Sequence, residues 1–179
     1  MKDILIDCFN IKNEIICEYD NKNKGNIQIF NSYEEVVRNN SWYKGKGIEN
    51  EKEIKDNCEI YLNENKIDFC YEYELEGKNI IKIKCINSLN NTNFMFFSCS
   101  FLTSLNLSNF NTNNVKDMSY MFRNCSSLTS LNLSNFNTNN VKDMNEMFDS
   151  ISKNCKINHN DKGISLQLNK TKFSICYLF

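Results

Sequence analysis

Hydrophobic positions change period within one short stretch of this chain. In residues 102–108, Leu105 and Leu107 alternate with Ser104, Asn106 and Ser108, which predicts a short strand with leucines on one face and small polar groups on the other. After a polar turn, Val115, Met118, Met121 and Phe122 fall at helical spacing and predict a short helix, with N-cap candidates at residues 112–114. The text LTSLNLSNFNTNNVKDM then recurs without a mismatch, at 102–118 and at 128–144, an offset of 26 residues. At that offset NFMFFSCSFL lies over SYMFRNCSSL, so Met95 and Met121, Phe96 and Phe122, and Cys99 and Cys125 are equivalent, and Met147 and Phe148 begin a third copy that decays. The predicted unit is strand, turn, helix over residues 91–150, and stacking such units is the logic of a solenoid. About two and a half units fall short of the three that a stack needs, so both flanks are expected to act as caps.

Residues 1–90 read as a β-rich antiparallel leader. Ile67, Phe69, Tyr71, Tyr73 and Leu75 alternate with polar residues, and a turn at residues 76–79 is expected to return the chain as a second strand over 80–85. Residues 59–62, 14–19 and 27–30 supply three further strand candidates. Ser32 and Glu35 form a capping box for a short helix through Arg38, and residues 42–53 are expected to be an exposed loop. Residues 151–179 are expected to close the array, with 164–168 and 173–179 forming a degenerate rung or a strand pair.

The pattern M-F-x-x-C-S-x-L at residues 95–102 and 121–128, at 26-residue spacing, closely resembles the BspA-like leucine-rich repeats of bacterial lipoproteins and protist surface-protein families. The resemblance covers about a third of the chain. It implies an α/β leucine-rich-repeat solenoid: a parallel β-sheet of two to three rungs with short helices, behind the β-rich leader. It also implies protein binding, often adhesion at a cell surface, and it brings no catalytic residues.

Composition narrows the chemistry. The 179 residues include 33 Asn and no Pro, a bias in keeping with an AT-rich coding sequence. Residues 1–90 carry 13 Lys/Arg against 17 Asp/Glu and residues 91–179 carry 8 against 5, so no basic stripe suited to nucleic acid is present. There is no run of 18 apolar residues for a transmembrane helix, and no secretory signal is readable in MKDILIDCFN, so the cytoplasm is the default compartment and the cell surface the family-based alternative. The nine cysteines contain no C-x-x-C and read as reduced, mostly buried thiols, with Cys99 and Cys125 a buried ladder across adjacent units. No metal site or cofactor is expected. His159, the one histidine, reads as a surface residue, and no phosphate-binding glycine motif is present.

The presumed binding face is the outward row of the repeat strands: Ser104, Asn106, Ser108, Ser130, Asn132 and Ser134. The same row also reads as polar cover that keeps a sheet soluble, and both readings stay open. Together these features point to a non-enzymatic protein-interaction module with an unidentified protein partner. The alternative is a short structural or vestigial member of an expanded repeat family with no selected ligand.

Overall fold

The computed structural model describes residues 13–176, with side chains as far as Thr171. Cys8, the MKDILIDCFN segment through residue 12 and tail residues 177–179 lie outside the described residues. The elements are β1 (Glu14–Gln28), α1 (Tyr33–Asn39), α2 (Glu51–Asn57), β2 (Cys58–Leu62), β3 (Asn65–Ile67), β4 (Glu72–Cys85), β5 (Leu102–Asn109), β6 (Ser130–Leu133), β7 (Lys156–His159) and α3 (Lys162–Cys176). All seven strands join one sheet in the order β3-β2-β4-β1-β5-β6-β7.

This sheet corrects the expected parallel α/β leucine-rich-repeat solenoid. Every pairing from β3 through β5 is antiparallel, and only β5-β6 and β6-β7 are parallel. The parallel pairs do keep the 26-residue offset: Leu105 faces Leu131 and Leu131 faces Ile157, with Asn106, Asn132 and Asn158 one step on. No helix lies between the repeat strands. The predicted helix around Val115–Phe122 is instead a run of tight turns, in which Met118 accepts from Met121, Tyr120 from Arg123 and Phe122 from Cys125.

The remaining amides of these turns bond to the next unit, or rung. Phe94, Phe96 and Ser98 donate to the carbonyls of Ser119, Met121 and Arg123, and Tyr120, Phe122 and Asn124 donate to those of Asn145, Met147 and Asp149, all at 2.9–3.0 Å. An α-helix would spend these amides within its own turn. Left-handed backbone at Phe94, Tyr120 and Glu146, and again at Ser98, Asn124 and Ser150, breaks helical continuity at the same place in each rung. Positive φ in an aromatic residue is costly, and the Phe94 and Tyr120 rings offset it by stacking 4.6 Å apart. Phe96, Phe122 and Phe148 form a second stacked column inside the core. The helical spacing of Met118, Met121 and Phe122 reflects burial on all sides, not one helical face.

The leader also differs from expectation. The turn at 76–79 is absent: β4 runs straight through Gly77, which takes a positive φ of 68° opposite Asn21. The candidates 14–19 and 27–30 belong largely to β1, whose register shifts between Asn21 and Gly25. In β4 the inward residues are Leu75, Ile81, Ile83 and Cys85, all of one parity, so the alternation passes Gly77 unbroken. Ser32 caps α1 by accepting the Glu35 amide, as its sequence signature predicts. Part of the expected 42–53 loop is instead a 3₁₀ turn at Ser41–Tyr43 and the start of α2.

In the tail, β7 supplies the third strand of the stack, and residues 164–168 are helical, not a strand. His159 ends β7 half-buried instead of on the surface, its Nδ1 without a hydrogen-bond partner. One core runs from Ile15, Ile60 and Ile83 in the leader to Leu131, Phe148 and Ile164 in the stack.

Candidate functional site

Along β1, β4, β5 and β6 buried residues alternate with partly or fully exposed ones, and in β7 the half-buried Ile157 and His159 alternate with the exposed Lys156 and Asn158, so the sheet has one face on the core and one open face. Ser104, Asn106, Ser108, Ser130 and Asn132 lie on the open side of β5 and β6, and Ser134 lies in the turn just past the end of β6. Ser104 pairs with Ser130 and Ser130 with Lys156, and Asn106, Asn132 and Asn158 form the adjacent row. Asn158 donates through Nδ2 to Asn132 Oδ1 at 3.3 Å.

The two central asparagines are not free acceptors. Asn106 Oδ1 accepts the Ser108 amide at 3.0 Å, and Asn132 Oδ1 accepts the Ser134 amide at 3.1 Å. Each side chain therefore closes the end of its own strand, which gives the Asn-x-Ser spacing a local structural role. Their Nδ2 groups and the serine hydroxyls remain for recognition.

Register extends these rows into the leader. Ser104 faces Glu18, which faces Ile80, while Asn106 faces Ile16, which faces Lys82 and then Tyr61 on β2. The open face thus has two halves: hydroxyls and amides on β5-β6-β7, and apolar and charged groups on β2-β4-β1. In the charged half, Tyr61 donates its hydroxyl to Glu59 at 2.8 Å, Lys66 donates to Glu59 at 2.5 Å, and the Lys84 ammonium sits 4.2 Å from the Tyr61 ring centre. The Lys66 hydrogen bond is the main reason that the Glu59 carboxyl is held below its ordinary range. Ile80 is 47% exposed, a large apolar side chain in the middle of this half. Repeat-based reasoning missed Ile16, Tyr61 and Ile80 because they come from strands outside the repeat; the signal was present as apolar residues in polar registers of the leader.

A concavity lies on the turn side. The Gly45–Lys46–Gly47–Ile48 loop and two successive Lys-Asp pairs, Lys116–Asp117 and Lys142–Asp143, enclose about 580 Å³ together with Tyr120 and Asn145. Gly47 is needed here because a Cβ would collide with Asn93, Phe94 and Tyr33. Burial raises the Asp117 carboxyl above its ordinary value, against two hydrogen bonds from Ser119, and the neighbouring Asp143 adds to the rise. Asp117 is a turn-forming acceptor: Asn91 and Asp143 do the same for the amides of Asn93 and Asn145.

Cys99 and Cys125 are buried and unbridged on adjacent rungs, and Cys125 donates its thiol to the Phe96 carbonyl. Among the described residues, no three His, Cys, Asp or Glu side chains converge as a metal site, and no helix is long and apolar enough to cross a membrane. Residues 69–171, more than half of the chain, match the family model described as "Mycoplasma protein of unknown function, DUF285". No curated protein and no solved structure matches the chain.

Proposed function

We propose that this chain, which belongs to the DUF285 family, is a non-enzymatic protein-interaction module that binds a protein partner on the open face of its seven-stranded sheet. The observation that carries the reading is that this face juxtaposes the exposed Ile80 and the half-buried Ile16 and Tyr61 with rows of uncommitted donors. Ile80, Ile16 and Tyr61 lie in register with the Ser104–Ser130 and Asn106–Asn132 rows. Interfaces draw their affinity from a few such aromatic and aliphatic anchors, and their register from surrounding polar groups. The resemblance of the 26-residue unit to BspA-like repeats supports the same reading.

A photo-crosslinking residue placed at Ser130 or Ile80 in the full chain, expressed in its own cells, tests it against the same residue at Lys52 on α2. The expected result is a discrete protein adduct from both sheet positions, absent from Lys52 and lost when Asn132→Arg is added. Adducts equal at all three sites, or none at any, would contradict the reading and favour a structural role without a ligand.

A further inference from the structure

Cys58 opens β2 directly after α2, Cys85 closes β4, and the two face each other across the antiparallel pair. One step away the Ile86 amide donates to the Asn57 carbonyl at 2.8 Å, which makes Asn57 and Ile86 the hydrogen-bonded pair. Cys58 and Cys85 are therefore the adjacent non-hydrogen-bonded pair, where side chains approach most closely. Both are buried on the core side, and their sulfurs are 3.5 Å apart. A disulfide needs the sulfurs at roughly 2 Å, a closure within reach of side-chain rotation between directly opposed cysteines.

We propose that Cys58 and Cys85 are a dithiol–disulfide couple that staples β2 to β4. The oxidant is a small-molecule disulfide. One cysteine thiolate attacks it and expels a thiol, and the second cysteine attacks the resulting mixed disulfide and expels the other. Two cysteine thiols and one disulfide thus become one cystine and two small thiols, which carry away both protons. The Cys58 hydrogen bond and burial push the Cys85 thiol far above its ordinary value, so Cys85 is a slow nucleophile in the folded chain. Reaction proceeds during folding or when the sheet edge opens, since only the three-residue β3 lies outside β2.

The staple has a structural consequence beyond its own strands. Asn50, the N-cap of α2, donates through Nδ2 to the Asn93 carbonyl at 2.8 Å and so closes the first rung. Fixing the end of α2 to β4 holds that cap in place.

The test folds the full chain in a glutathione redox buffer and, in parallel, in dithiothreitol. The expected oxidised product has two fewer titratable thiols after denaturation than the nine of the reduced chain. Peptide mapping links Cys58 to Cys85, and the melting temperature is higher by about 5 °C or more and falls back on reduction. Cys58→Ser in the same buffer abolishes the link and the shift; Cys85→Ser gives the same readout should the first variant not fold. Nine free thiols in both buffers, a link between other cysteines, or equal melting temperatures would overturn the proposal.

Discussion

The first and third rungs of the stack have the same backbone but end in different chemistry. At the first rung, the carbonyls of Asn93, Met95 and Phe97 have no preceding repeat to bond. Asn50 Nδ2 takes the first at 2.8 Å, and the Asn31 amide and Nδ2 take the other two at 2.7 and 3.2 Å. These donors stand where the amides of Phe94, Phe96 and Ser98 stand relative to the second rung. At the third rung the matching amides are those of Glu146, Phe148 and Ser150, and among the described residues they have no acceptor. The tail closes this end through side chains: Asp161 accepts the Thr138 amide and hydroxyl at 3.0 and 2.6 Å, and α3 buries Ile164 in the core. A stack of identical units is directional. Its acceptor end needs donors that mimic a rung, whereas its donor end here is held mainly by apolar packing and one carboxylate.

The comparison breaks most severely at the middle rung, on which both ends depend. Leu131 is buried between Leu105 and Ile157, so Leu131→Asp places an unpaired charge in the stack and costs more than about 4 kcal/mol. Thermal unfolding followed by circular dichroism should lose its cooperative transition.

The ends themselves come next. Asn50→Ala removes two hydrogen bonds to Asn93 and the acceptor of the Tyr33 amide, and should cost about 2 to 3 kcal/mol in urea denaturation. Asp161→Ala removes a helix cap and the Thr138 bonds and should cost about 1 kcal/mol. Equal costs would remove the distinction between the ends.

The smallest effect lies within the ladder. Asn91 performs in the first rung the acceptor role that Asp117 performs in the second. Asp117→Asn keeps that acceptor and deletes a buried charge, so a gain of under about 1 kcal/mol is expected at pH 7. Because burial raises the Asp117 carboxyl, its ionisation opposes folding as pH climbs through and above the ordinary value of 3.8. The advantage of the variant should therefore vanish below that value, which urea titrations across pH would reveal.

Much of this was legible in residues 102–144, where two identical copies fix the offset and the alternation in LTSLNLS identifies the strand and its inward leucines. The turns were not, because Val115, Met118, Met121 and Phe122 satisfy a helical pattern while their neighbours bond to another rung. Hydrogen bonding at a 25-residue separation leaves no local signature. Gly77 misled in the opposite direction: a positive-φ glycine reads as a turn, yet its neighbours continue one long strand. The Ser and Asn rows of the candidate face were readable from alternation alone. The anchors Ile16, Tyr61 and Ile80 were not, since only the sheet order brings β1, β2 and β4 beside the repeats. The same holds for Asn31 and Asn50, two asparagines among 33, whose role depends on where the first rung ends.

Residue-resolved amide hydrogen exchange on the full chain tests the rung-to-rung ladder most directly. The account predicts slow exchange at Tyr120, Phe122 and Asn124, which donate to the third rung, and exchange faster by at least about tenfold at Glu146, Phe148 and Ser150, which have no acceptor among the described residues. Equal protection of the two sets would contradict it.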